Sequence, residues 1–269
     1  MKPTKTLNIL NLALCLCLAQ SASAALIFQM DFNDADGNQS LLDRGTTGVT
    51  GVFNGNATYS TDVASVNGGG YSASFSGTNV DNANFGDINA LDGLSAFTMT
   101  AWVKSSTVNS GGPSGSARIV SKRDASTGFE LYYHDTDNQL EFVTNGSVAN
   151  GGASFAGQQW TWVAVTYDSV AETATFYTGD GTTLSAGDSA NFAQGAIAAT
   201  TGDLLIGNYN SSQRPYSGLI DNVRIYDSIE DAASLTSIMK FNDAVAVPEP
   251  SSAALLGLGG LTLIARRRR

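Results

Sequence analysis

The chain is poor in almost every residue type that carries metal or nucleophilic chemistry. Its 269 residues include two cysteines, one histidine and five prolines, and 14% are charged. Both cysteines, Cys15 and Cys17, lie close to the N-terminus. The lone histidine, His134, has no histidine partner, which argues against a histidine-based zinc site. A Ser-His-Asp set would have to use this one residue, in a polar YYHDTDNQ turn whose ordinary turn chemistry explains it better. No phosphate loop and no dinucleotide fingerprint is present. Basic residues are outnumbered 14 to 24, for a net charge of −10. A field of that sign excludes nucleic-acid binding by charge. Long helical periodicity is missing from residues 25 to 227, which excludes a helical bundle.

What is present begins with two unlike ends. The N-terminus reads Met1-Lys2-Pro3-Thr4-Lys5, then an apolar run from Leu7 to Ala19, then Ser21-Ala22-Ser23-Ala24. This is the order of a secretion signal: a basic start, a short apolar stretch and a small-residue cleavage site. Ala22 and Ala24 fit the two small-side-chain positions read by signal peptidase, so residues 1–24 are expected to be removed. The apolar run is too short for a membrane span, which needs about 20 residues. Leu14 and Leu16 before the cysteines argue against a lipoprotein. Cleavage leaves a cysteine-free domain that must hold its core without a disulfide.

The C-terminus reads Pro248-Glu249-Pro250, an uncharged apolar stretch from Ala253 to Ala265, then Arg266, Arg267, Arg268 and Arg269. As a helix, the 15 residues from Ser251 would span roughly 22 Å, short of the ~30 Å bilayer core. Such a helix can lodge transiently in a membrane with its arginines on the cytoplasmic side. The ordered triplet of Pro-Glu-Pro, one apolar helix and an Arg cluster resembles the PEP-CTERM tag of bacterial surface proteins. That resemblance implies processing by an exosortase-like membrane protease in a Gram-negative bacterium that makes extracellular polysaccharide. The expected destination is the cell surface, outer membrane or extracellular matrix. Without both ends the charge is −15, since eight basic residues remain against 23 acids.

Between the ends, short runs alternate apolar and polar residues and are separated by Gly, Asn, Asp and Ser. The runs are 25–32, 97–104, 117–122, 128–133, 139–144, 160–167, 173–178, 203–207 and 218–226. Period two with β-branched and aromatic residues predicts antiparallel strands, and so many of them predict a sandwich or jelly roll. Ser228 and Asp231 suggest a capping box for a short helix carrying Leu235, Ile238 and Met239. Residues 242–247 look like a linker.

The order FTMTAWVKSS, RIVSKRDASTGFELYY, QQWTWVAVTYD, DLLIGN, YSGLIDNVRIYD resembles the laminin-G-like, concanavalin-A-like jelly-roll superfamily. The domain is therefore expected over residues 25–241: all-β, a two-sheet antiparallel sandwich with a short helix near its end. One departure is Trp162, where many relatives carry His. The resemblance implies a fold that hosts lectins, adhesion modules and enzymes alike, so it does not imply an activity.

Glucanases of this class carry Glu-x-Asp-x-x-Glu on one strand, and none of Glu130, Glu141, Glu172, Glu230 and Glu249 has that spacing. Glu130 and Glu141 fall on adjacent expected strands, and solvent-facing positions are expected for both. The resemblance implies a calcium site using Asp221 and, on the first strand, Asp31 and Asn33; Asp221 shares parity with Val223 and Ile225, which would turn it inward, the alternative to a cation being that it accepts hydrogen bonds from backbone amides or an arginine. The stretch DFNDADGNQSLLD fails as an EF-hand because Gln39 stands where glycine is needed and Gly45 where Glu is needed. Trp102, Tyr132 and Trp162 lie opposite the core parity of their strands and are candidates for stacking a sugar, the alternative being that the tryptophans fill a core. The expectation is a non-enzymatic protein that binds extracellular polysaccharide or a surface protein. The alternatives are a polysaccharide hydrolase and a ligand-free matrix component.

Overall fold

The structure, a computed structural model, describes residues 24–33, 40–106, 115–134, 139–154, 157–209 and 213–240. Residues 1–23 of the expected secretion signal, the linker and the C-terminal tag lie outside the described residues.

The strands follow one another as β1 Leu26–Met30, β2 Ser40–Leu42, β3 Thr50–Asn54, β4 Thr58–Ser60, β5 Ser72–Ser76, β6 Asn82–Asn84, β7 Ala96–Ser105 and β8 Ser116–Asp124. Then come β9 Thr127–His134, β10 Gln139–Thr144, β11 Ser147–Asn150, β12 Thr161–Asp168, β13 Thr173–Gly179, β14 Leu184–Asn191, β15 Leu204–Ile206 and β16 Ser217–Tyr226. One helix, α1 Ala232–Lys240, closes the described chain. All the pairings are antiparallel and form two eight-stranded sheets. The first runs β14-β13-β12-β7-β16-β5-β4, with β1 also on β16. The second runs β11-β10-β9-β8-β15-β6-β3-β2. The expected two-sheet jelly-roll sandwich is thus the observed one.

The core between the sheets comes from strand alternation. Phe97, Met99, Ala101 and Val103 of β7, Val163, Val165 and Tyr167 of β12, and Phe129, Leu131 and Tyr133 of β9 all point into it. Phe97, Phe142 and Tyr167 meet with ring centroids 5.4 to 5.8 Å apart. Rings at such tilted contacts gain about 0.5–1.5 kcal/mol per pair beyond their buried area. Two glycines in the quoted motifs have steric reasons. Gly207 has φ +86 and a Cβ there would lie 2.6 Å from the Phe75 ring; Gly218 has φ +141 and its Cβ would lie 2.2 Å from the Lys104 carbonyl oxygen. Only glycine avoids both penalties.

The strands missing from the sequence expectation are β2 to β6, β11 and β14. They are short or polar, and β14 reads LSAGDSAN with no buried residue. Their partners supply the apolar side, so their own sequences need not alternate. The helix also differs at its start. Asp231 caps it, its carboxylate accepting from the Ser234 amide at 2.8 Å. Ser228 instead gives its carbonyl to the Thr98 hydroxyl at 2.8 Å.

Candidate functional site

The outer face of the first sheet is a second core. Helix α1 lays Leu235, Ile238 and Met239 over Trp102, Trp162, Ala164 and Tyr226, with Leu26 and Ala64 alongside. Trp102 and Trp162 are 3% and 1% exposed. They were candidates for sugar stacking, and the structure corrects that. Their parity is indeed opposite to the main core, but the helix covers that face. Sequence parity could say which side they occupy, not what lies on it.

Asp221 does not take the inward orientation that its parity implied. Ile220 and Val223 both point into the main core, so the alternation breaks between them. The break is a bulge at Asn222, whose φ is +49. It lies where the neighbour of β16 changes from β5, paired with 217–220, to β1, paired with 223–226. Asp221 therefore stands on the outer face, opposite Trp102, and accepts from the Asn222 amide at 2.7 Å. Asp31 pairs with Arg44 Nε at 2.9 Å and accepts from the Asn33 amide at 3.1 Å. Asn33 Oδ1 accepts from the Tyr71 amide at 2.9 Å. Each of the three calcium candidates thus serves a protein donor, and a cation at Asp31 would compete with Arg44. No group of three or more acidic, histidine or cysteine side chains converges among the described residues.

The outer face of the second sheet carries charge. Glu130 is 0% exposed. It accepts from Arg118 at 3.0 Å, Arg123 at 2.9 Å and Ser121 at 3.2 Å. On the neighbouring strand Glu141 accepts from the Tyr132 hydroxyl, and Arg118 lies 3.9 Å over the Tyr132 ring. Burial and the Glu141 carboxylate push the Tyr132 phenol well up, so it stays a donor at neutral pH. His134 Nδ1 is 4.0 Å from Glu141. The expectation of solvent-facing glutamates is therefore not met: both are buried in an ion-pair and hydrogen-bond network. Tyr132, the third aromatic candidate, is 5% exposed and is a member of that network rather than an open platform.

Beside this network the same face opens into a hollow of about 460 Å³. Its floor is laid by three strands. Asn54 of β3 stands opposite Asn82 of β6, and Asn84 of β6 opposite Leu205 of β15. Asp124 and Asp203 stand at its wall. The amides are aligned by hydrogen bonds: Asn54 Nδ2 donates to Asn82 Oδ1 at 2.8 Å and Asn82 Nδ2 to the Val80 carbonyl at 3.2 Å, while Asn84 Nδ2 donates to Asp203 at 2.8 Å and its Oδ1 accepts from the Gly86 amide at 2.7 Å. An amide has two N–H donors and two carbonyl lone pairs, so such bonds orient it without exhausting it. Val80, 56% exposed, adds an apolar edge. Sequence reading missed this site because β3 and β6 were unseen, and asparagines in Gly-Asn runs look like turn residues.

Two antiparallel sheets, one outer face covered by a helix and the other carrying an open hollow, define a jelly-roll sandwich. The chain belongs to the concanavalin A-like lectin/glucanases superfamily, whose Laminin_G_3 profile matches residues 76–235. Residues 246–269 match the PEP-CTERM protein-sorting motif, which marks export and membrane-associated processing in Gram-negative bacteria. Among solved structures the chain is similar to domain 4 of AbnA, a GH43 extracellular arabinanase from Geobacillus stearothermophilus, in complex with arabinotriose. The identity is 17% and the TM-score 0.58, over 80% of this chain and 98% of that one. It is also similar to the binding domain of botulinum neurotoxin serotype G, at 13% identity and TM-score 0.60, over 80% of this chain and 50% of the toxin domain. The binding domain of Paraclostridial Mosquitocidal Protein 1 matches at 13% identity and TM-score 0.58, over 80% of this chain and 52% of that one. The chain thus spans about half the length of these toxin domains. No curated protein matches it by sequence.

Proposed function

We propose that this chain is an exported, non-enzymatic glycan-binding protein that reaches the cell surface or the extracellular matrix. The observation that carries the reading is the amide-floored hollow on the second sheet. Sugars are bound by planar hydrogen-bonding groups for their hydroxyls and apolar surface for their C–H faces. Asn54, Asn82 and Asn84 supply the first; Leu205 and Val80 supply the second. Two further facts support it. The AbnA domain 4 structure, of the same fold, is a complex with arabinotriose. Glu130 is committed to two arginines, which leaves it poorly suited to protonate a glycosidic oxygen. On this reading the N-terminal signal exports the chain, and an exosortase-like protease processes the tag at the membrane. The ligand is the extracellular polysaccharide around the cell.

Calorimetry with arabinotriose and with neutral hexose oligosaccharides tests the proposal. Binding is expected, weakened at least tenfold in Asn84→Ala and Asp203→Ala with the melting temperature little changed. Unaltered affinity in both variants would remove the hollow as the site. Release of reducing sugar by the wild-type protein would overturn the non-enzymatic reading.

A further inference from the structure

A second hollow, of about 420 Å³, opens at the far edge of the first sheet. It is walled by Trp160, just before β12, and by Thr178, Asp180, Thr183 and Ser185 of the β13–β14 hairpin. By strand register Thr178 pairs with both Val163 and Ser185, so its inner wall follows the inward side of the sheet. It shares no residue with the hollow on the second sheet.

Trp160 is unlike the other two tryptophans. It is half-buried at the margin of the α1-covered cluster, against which it packs, while Trp102 and Trp162 are sealed within it. Its indole N–H donates to Asp62 at 2.8 Å, and the other Asp62 oxygen accepts from Lys104 at 2.6 Å. The indole is therefore held from behind by an ion pair, and its position is set before any ligand arrives. A rigid aromatic has little freedom left to lose on binding, which favours affinity. Opposite it, Asp180 accepts from the Thr182 amide at 2.8 Å and the Thr183 amide at 2.7 Å through one oxygen. That fixes the turn and leaves the second carboxylate oxygen as an acceptor for neighbouring hydroxyls.

We propose that this edge hollow is a second saccharide site, in which a neutral sugar ring stacks on Trp160 and hydrogen-bonds Asp180 and the hairpin hydroxyls. The chemistry is complementary: an apolar ring face needs an aromatic plane, and vicinal hydroxyls need a carboxylate and hydroxyl partners. The carboxylate and the net charge of −10 disfavour acidic sugars. With sites on two sheets, one domain would bridge two glycan chains. The inference stands on residues other than those of the proposed function and does not depend on it.

Tryptophan fluorescence tests it, because Trp160 is the one tryptophan within reach of a ligand. The protein is titrated with arabinotriose, cellotetraose and mannotetraose to about 10 mM, tenfold above a weak ~1 mM constant. At least one is expected to shift the emission, and the shift is expected to persist in Asn84→Ala, whose own hollow is disabled. Trp160→Phe keeps the apolar packing and is expected to abolish the shift and weaken calorimetric binding roughly tenfold. Asp180→Asn keeps the oxygen that fixes the turn and is expected to weaken the shift at an unchanged melting temperature, and Asp180→Ala, which removes that oxygen too, is expected to weaken it further. No emission change with any of the three sugars, or an unchanged response in Asp180→Ala, would overturn the proposal. Loss of the shift in Asn84→Ala would assign it to the second-sheet hollow and overturn it as well.

Discussion

Trp102 and Asp221 stand directly opposite each other on the outer face of the first sheet. Counting two residues at a time from Ile225 would have turned Asp221 into the core. The extra residue at Asn222 reverses this, because a bulge places two residues against one and shifts every side chain before it to the other face. The bulge needs a left-handed residue, and Asn tolerates φ +49 better than most. Asn222→Gly keeps the left-handed backbone and loses only the amide that accepts from Arg224, so Asn222→Val should cost about 1–2 kcal/mol more than Asn222→Gly. Urea denaturation of the two variants measures the difference.

Glu130 holds two arginines that it cannot release without cost. Arg118 and Glu130 have side chains 3% and 0% exposed, so Glu130→Gln leaves a buried guanidinium without its carboxylate. Breaking such a pair from one side costs about 3–5 kcal/mol. The variant should melt well below the wild type. A Glu130→Gln protein of unchanged stability would show that the network is open to water.

Asp81 shapes the pH response. It is fully buried and accepts from the Asn56 amide at 2.8 Å, the Ser76 amide at 2.9 Å and the Thr78 hydroxyl at 2.6 Å. Burial alone would raise its pKa, but the bonds from Ser76, Thr78 and Asn56 outweigh it and hold the carboxyl below 3.8. A depressed carboxylate stabilises the fold fully above its unfolded value. That stability is lost as pH falls through 3.8 toward the folded value. Melting temperature should drop in this window, and the part due to Asp81 should vanish in Asp81→Asn, which is itself less stable at neutral pH.

Asp31 is contested between Arg44 and any cation. If calcium binds through Asp31, Asn33 and Asp221, it must displace the guanidinium at 2.9 Å. Arg44→Gln should then be more strongly stabilised by millimolar calcium than the wild type. Equal melting temperatures with and without calcium in both proteins would argue against a site there.

The long strands were legible in the sequence because their own residues alternate: β7, β9, β10, β12 and β16 each carry a full apolar face. The sorting tag was legible too, since a protease reads it as a linear pattern. The sequence by itself thus determined the layers of the fold and the sorting tag at its C-terminal end. Tertiary structure decided everything that depends on what lies across a surface. Trp102 and Trp162 have the parity of exposed residues, and α1 buries them. Trp160, two residues before Trp162, stays half-exposed at the margin of the same cluster because it lies just before β12 begins. Asn54, Asn84 and Asp203 come together only because β3, β6 and β15 pair across 150 residues of chain, on the order of the domain itself. Parity is a local property of the backbone; a binding surface is set by which strands become neighbours.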